Sequence, residues 1–166
     1  EIVQQLDEKK VSIDHILSPV GGGGLLAGTS IAVKGMSSSI KVYGVEQENF
    51  EDHYLSKCAG KRVAIDGTKA TLCDALMATT PGELTWSINS KNVDDYLVVS
   101  EDAVAHAISY AFRYLKIVVE PGGAVALAAL LQGKLDVTGS SAAIIVSGGN
   151  VDREIFESCL NKHPSP

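Results

Sequence analysis

Four consecutive glycines stand in the run Pro19-Val20-Gly21-Gly22-Gly23-Gly24-Leu25-Leu26-Ala27-Gly28, between an apolar strand-like segment and the start of a helical pattern. Without Cβ atoms the backbone N–H groups of such a loop can close on a ligand, and the helix N-terminus behind them adds partial positive charge. A phosphate can be held there with no lysine or arginine. The competing reading is a tight turn whose glycines only relieve crowding; the regular strand and helix on either side favour the phosphate cradle. A second loop, Ser147-Gly148-Gly149-Asn150, follows the apolar segment Ala142 to Val146 and precedes another helical stretch. In an open parallel sheet the carboxyl ends of the strands share one edge, so both loops can face one crevice and grip one ligand. Ser147 taken alone reads equally as a turn or N-cap residue.

A rival chemistry uses the same glycines. Gly22, Gly24 and Ala27 satisfy the G-x-G-x-x-A form of the dinucleotide fingerprint, and Glu46 ends the next strand about 20 residues on, where a ribose-binding acid would sit. That reading leaves the second glycine loop and Glu120 without a role. His15, His53, His106 and His163 lack ligand-like spacing and read as structural or solvated side chains. No Gly-x-Ser-x-Gly elbow and no loop ending in Gly-Lys-Ser/Thr is present, so hydrolase and nucleotide-triphosphatase chemistry has no anchor. Trp86 and five scattered tyrosines form no base-stacking series.

The elements that must position these loops alternate between helix-period and strand-like segments, which predicts an α/β fold with an open, mostly parallel twisted sheet flanked by helices in three layers. Strands are expected at His15 to Val20, Lys41 to Glu46 and Asp95 to Val99, with a buried one at Ala142 to Ser147. Helices are expected at Glu1 to Glu8, Leu25 to Met36, Phe50 to Cys58, Thr71 to Ala78, Gly123 to Leu131 and Asp152 to Leu160. Leu25, Leu26, Ala32, Val33 and Met36 form the expected inner face of the second helix. Ser100, followed by Glu101 and Asp102, is a helix N-cap signal, and Val104, Ala107, Ile108, Ala111 and Leu115 form the stripe behind it.

The chain has 166 residues, 45% hydrophobic, 20% charged and 5% aromatic, the balance of one soluble domain spanning residues 1–166. Disorder, collagen-like repeats and a disulfide scaffold are excluded. Fourteen basic against twenty acidic residues give a charge of -6, so no strong field attracts nucleic acid or an anionic membrane. The longest apolar stretch, Ala124 to Leu131, is far short of the roughly 20 residues that span a bilayer, and no signal-peptide pattern opens the chain. Cys58, Cys73 and Cys159 are odd in number and form no Cys-x-x-Cys pair, which reads as reduced thiols in a cytoplasmic compartment.

Taken in order, five motifs resemble the carboxyl-terminal half of the threonine dehydratase and serine racemase family, the pyridoxal-phosphate enzymes of fold type II. They are Pro19-Val20-Gly21-Gly22-Gly23-Gly24-Leu25; Lys41-Val42-Tyr43-Gly44-Val45-Glu46; Asn92-Val93-Asp94-Asp95-Tyr96-Leu97-Val98-Val99-Ser100-Glu101; Leu115-Lys116-Ile117-Val118-Val119-Glu120-Pro121; and Val146-Ser147-Gly148-Gly149-Asn150-Val151-Asp152. The resemblance implies the carboxyl-terminal part of that family's large domain. It implies that Gly21, Gly22, Gly23, Gly24 and Leu25 hold the phosphate of pyridoxal 5'-phosphate, that Ser147 lies beside the pyridine nitrogen, and that Glu120 lies near the ring or the amino-acid substrate. A carboxylate near a helix start is the plain alternative for Glu120. In some members a divalent cation is held at positions matching Glu46, the backbone carbonyl of Phe50, and Asp52; oxygen ligands of this kind suit magnesium or calcium. Two carboxylates in an acidic chain otherwise read as solvated surface.

The likeness has departures. Where the family often has Ala-Asp-Gly this chain reads Cys73-Asp74-Ala75, and where it often has Pro-Ser-Gly this chain reads Pro121-Gly122-Gly123. If position 75 needs a conformation open only to glycine, Ala75 would strain it. The lysine that bonds the cofactor lies in the family's amino-terminal half, and Lys34, Lys41, Lys69 and Lys116 do not match its setting. The chain also opens inside a helical pattern without an initiator methionine, which reads as a fragment or one half of a larger protein. The expected partners are cofactor, amino-acid substrate, and either further copies of the chain or a missing amino-terminal half. The alternative is a non-catalytic binding or assembly module on the same fold.

Overall fold

The computed structural model, which describes residues 1–164, buries the successive residues Ile16 and Leu17 completely. Adjacent strand residues point to opposite faces, so the sheet that holds them must be covered on both sides. Along the chain the elements are α1 (Ile2–Glu8), β1 (His15–Pro19), α2 (Gly24–Met36), β2 (Lys41–Gln47), α3 (Asp52–Ala59), a 3-10 turn (Asp74–Leu76), α4 (Glu83–Asn92), β3 (Asp95–Val99), α5 (Glu101–Tyr110), α6 (Pro121–Leu131), β4 (Ala142–Ile144) and α7 (Arg153–Lys162). Among the described residues the strands form one sheet in the order β3-β2-β1-β4, and every pairing is parallel. Ile16, Val42 and Tyr96 face a core closed by Leu26 and Val33 of α2. Leu17, Val45 and Val99 face a larger core closed by α5 and α6. This is the expected three-layer α/β architecture with a parallel sheet.

The strand order places a topological switch between β1 and β4. From β1 the chain steps outward through β2 to β3, then returns to lay β4 on the other side of β1. Their carboxyl ends lead directly into the two glycine loops, and the crevice at such a switch is where open α/β sheets bind ligands. α6 supports this edge from within. Every residue from Pro121 to Ala129 is buried, because the helix is apolar all round and packs between the sheet and α5. Pro121 at its first turn lacks only an N–H that would find no helical partner.

Several local expectations are corrected. The inner face of α2 is Leu26, Ala27, Ser30 and Val33, while Leu25, Ala32 and Met36 are exposed. In α5 the Ser100 cap forms, its hydroxyl accepting from the Ala103 N–H at 3.2 Å, but the stripe stops at Ala111. The helix continues as a π-helical turn over Ala111–Leu115, which turns Leu115 out to solvent. No helix spans Thr71 to Ala78. The Leu72 N–H donates to the Glu101 carboxylate at 2.9 Å and the Thr71 hydroxyl binds the same group, leaving only the short 3-10 turn. α4 carries no apolar stripe, since only Asn89 of its residues is buried. β4 is shorter than expected and only half-buried, as the sheet edge with one neighbour. Among the described residues no helix is long and apolar enough to cross a membrane.

Candidate functional site

The first glycine loop leaves β1 where the Val20 N–H donates to the Val45 carbonyl at 3.0 Å. Gly23, the residue that caps α2, has φ of 89°, a left-handed conformation that disfavours any side chain. A Cβ there would come within 2.8 Å of His53 Cε1 and 2.9 Å of Asn89 Nδ2, whereas one on Gly22 or Gly24 would meet nothing within 4 Å. The loop is thus packed tightly on one side and open on the other. The first amides of α2, which follow this loop, lack helical acceptors.

The second loop lies against the start of α6. A Cβ on Gly123 would overlap the Ser147 carbonyl oxygen, so only glycine lets the loop backbone approach the helix this closely. Glu120 clasps the loop: its Oε2 accepts from the Asn150 N–H at 3.0 Å, and its own N–H donates to the Gly148 carbonyl at 3.3 Å. Gly148 has φ of 76°, and a Cβ there would strike the Glu120 carboxylate. Glu120 is therefore tied to the loop backbone. Ser147 is half-buried, with no hydrogen bond to its hydroxyl among the described residues.

Between these loops lies the 3-10 turn. A Cβ on Gly21 would come within 3.3 Å of Leu76 Cα, and Gln47 Nε2 donates to the Leu76 carbonyl at 3.2 Å. Ala75 does not adopt positive φ, so the strain expected from replacing a glycine there is absent. The second departure lies against it. A Cβ on Gly122 would stand 3.4 Å from the Ala75 Cβ and 3.2 Å from Leu76 Cγ. A larger residue at 75 is thus matched by a smaller one at 122.

Glu46 and Asp52 are both buried, not solvated surface. Glu46 Oε1 accepts from the His53 N–H at 2.9 Å and Oε2 from the Tyr54 N–H at 2.8 Å, fixing the carboxylate across the start of α3. No N–H donor of another described residue reaches either carboxylate oxygen of Asp52; its carboxyl faces that of Glu46, and a proton held between the two lets them pair. Burial pushes Glu46 well above the usual carboxylate range, opposed by its two amide donors, and pushes Asp52 up to about 7. Burial also lowers His53 to about 4, which keeps its imidazole neutral. Phe50 is buried in the turn between β2 and α3. Among the described residues no three His, Cys, Asp or Glu side chains group to hold a metal, so a cation here would take Glu46, Asp52, the Phe50 carbonyl and water. Being sealed beneath the loop, Glu46 is not free to bind ribose hydroxyls, and the dinucleotide reading fails there.

Lys34 and Lys41 lie at the opposite edge of the sheet, paired with Asp94 at 2.7 and 3.0 Å. They hold Asp94 at about 2 against its own burial. Sequence reasoning missed Thr85 and Asn89, which contact the glycine loop from α4; their i, i+4 spacing was the available signal.

A parallel sheet with two glycine loops at its switch point is an open α/β architecture with a crevice at that edge. The family model described as pyridoxal-phosphate dependent enzyme matches residues 1–148, and the chain belongs to that family. It is 40% identical over 162 residues to the L-threonine ammonia-lyase of Thermotoga maritima, covering 98% of this chain and 39% of that protein. It is 37% identical over 163 residues to a serine racemase of Oryza sativa, covering 95% and 48%. The structure of maize serine racemase superposes with a TM-score of 0.82 at 36% identity, over 98% of this chain and 50% of that one. The chain thus spans about half the length of these relatives or less.

Proposed function

We propose that this chain is the cofactor-phosphate-binding half of a pyridoxal-phosphate-dependent threonine or serine dehydratase, or of an amino-acid racemase. The observation that carries this reading is the loop Gly21 to Leu25, packed from below and open above, at the switch between β1 and β4. Gly21, Gly22, Gly23, Gly24 and Leu25 would bind the phosphate through backbone amides and the start of α2. Pyridoxal phosphate, when bound, supplies an electron sink for negative charge at the substrate Cα. The Ser147 hydroxyl would lie beside the ring nitrogen; being neutral, it would not keep a proton there, which suits β-elimination or racemisation. Glu120 orients the loop that carries Ser147, through its bond to the Asn150 N–H. Glu46, Asp52 and the Phe50 carbonyl would hold magnesium or calcium, which would balance two buried carboxylates. The amine that bonds the cofactor would come from residues outside these 166, so these residues alone would turn over little substrate. Free Cys58, Cys73 and Cys159 support a reducing, cytoplasmic setting.

Calorimetric titration of the purified chain with pyridoxal phosphate tests this reading. The expected result is saturable heat, lost when the Gly21 to Gly24 loop is replaced, with the cofactor's own absorbance unshifted. No saturable heat would move the assignment to an assembly module on the same fold. That second reading draws on Phe112, Tyr114, Leu115, Ile117 and Val118, which expose apolar surface after α5.

A further inference from the structure

Helix α4 holds the glycine loop by its carbonyls. The Thr85 hydroxyl donates to the Gly22 carbonyl at 2.6 Å, the Gly82 N–H reaches the same oxygen at 3.4 Å, and Asn89 Nδ2 donates to the Gly23 carbonyl at 3.2 Å. Thr85 and Asn89 are four residues apart and share one helix face. In a trans peptide the carbonyl and the following N–H point in opposite directions, and no cis bond occurs among the described residues. The Gly23 carbonyl also accepts from the Ala27 N–H at 2.9 Å, the first bond of α2, so α4 directs the Gly22 carbonyl and shares the Gly23 carbonyl with α2, which turns the N–H groups of Gly23 and Gly24 the other way.

His53 supports the loop from a second element. Its Cε1 and Nε2 stand within 2.9 Å of where a Gly23 Cβ would lie. The ring is steadied by Tyr96 and Trp86, at centroid distances of 5.5 and 6.4 Å, and by its backbone bond to Glu46. Asn89 Oδ1 is buried without a partner among the described residues, and the buried His53 ring faces the Gly21 backbone of the same loop. An unpartnered buried atom destabilises a core, so packing alone would favour an apolar side chain in place of Asn89.

We propose that Thr85, Asn89 and His53 are positioning residues of the anion cradle. They act through the loop backbone, fixing the Gly22 and Gly23 carbonyls and the left-handed Gly23 so that successive amides converge on a phosphate. The inference rests on the reading of this loop as a phosphate site.

The test is titration of the purified chain with inorganic phosphate, and separately with pyridoxal phosphate, by calorimetry and by the amide resonances of Gly22, Gly23 and Gly24. Thr85→Val removes the hydroxyl and keeps the shape; Thr85→Ser restores the donor. Thr85→Val should weaken phosphate binding about tenfold, the worth of one lost donor. It should also move the Gly23 amide resonance in the free chain, while Thr85→Ser stays within about twofold of the parent. Asn89→Leu and His53→Phe should weaken binding as Thr85→Val does. Should the buried variants not fold, the Thr85 pair still decides. Parent-like phosphate binding by Thr85→Val, or an equal loss in Thr85→Ser, overturns this inference alone. No phosphate binding by the parent chain overturns the cradle reading together with it.

Discussion

Glu46 and Asp52 show how far local environment can move a residue from its sequence reading. A carboxyl group raised by burial favours the folded state below its ordinary pKa near 4, and that contribution is lost as pH rises through its folded value, about 7 for Asp52. Glu46 shifts the same way, while His53, lowered to about 4, loses its contribution as pH falls below 6.5. Asp52→Asn should therefore be more stable than the parent at pH 8, by about 4 kcal/mol, and nearly equal at pH 4. Urea unfolding at both pH values, without divalent cations, measures this. At pH 8, millimolar magnesium should raise the melting temperature of the parent but not of Asp52→Asn; equal response in both would remove the cation assignment. Ala75 and Gly122 support a second prediction. Gly122→Ser alone should cost about 1 kcal/mol, chiefly through crowding against Leu76 Cγ at 3.2 Å, and adding Ala75→Gly, which removes a Cβ at 3.4 Å, should recover a smaller part, a coupling that a double-mutant cycle reads directly.

At the scale of elements, the two glycine loops depend on the helices that follow or underlie them. Gly123 lets the start of α6 lie on the Ser147 carbonyl, so Gly123→Ala should displace the Ser147 loop and weaken pyridoxal-phosphate binding as well as stability. Retained affinity in a calorimetric titration of that variant would show that the contact does not position the loop. α5 depends on its cap in a simpler way. Ser100→Ala removes the acceptor for the Ala103 N–H and should cost about 1 kcal/mol in urea unfolding, with cofactor affinity unchanged. The polar helix α4 is the contrasting case: its alignment comes from hydrogen bonds to the glycine loop and packing on α2, not from an apolar stripe.

For the whole molecule, the edge strand β4 is half-buried and the exposed apolar side chains Phe112, Tyr114, Leu115, Ile117 and Val118 follow α5. Unpaired strand edges and contiguous apolar surface favour association. Sedimentation of the purified chain at micromolar concentration should show dimers or larger species, reduced by Tyr114→Lys with Val118→Lys. A monomer at every concentration would remove the self-association expected here.

The sequence by itself determined the strand-to-helix units, the parallel sheet and the two glycine loops, because these follow from local periodicity and from glycine chemistry within short segments. The Ser100 cap and the apolar character of α6 were equally legible, being written in contiguous residues. Only the tertiary structure decided that Glu46 and Asp52 are sealed in the interior, that Glu120 clasps the second loop, and that Thr85, Asn89 and His53 support the first. Those relations join residues tens of positions apart through partners on other elements. Periodicity carries no record of them: burial and hydrogen bonding across the sheet edge arise only when the elements are packed.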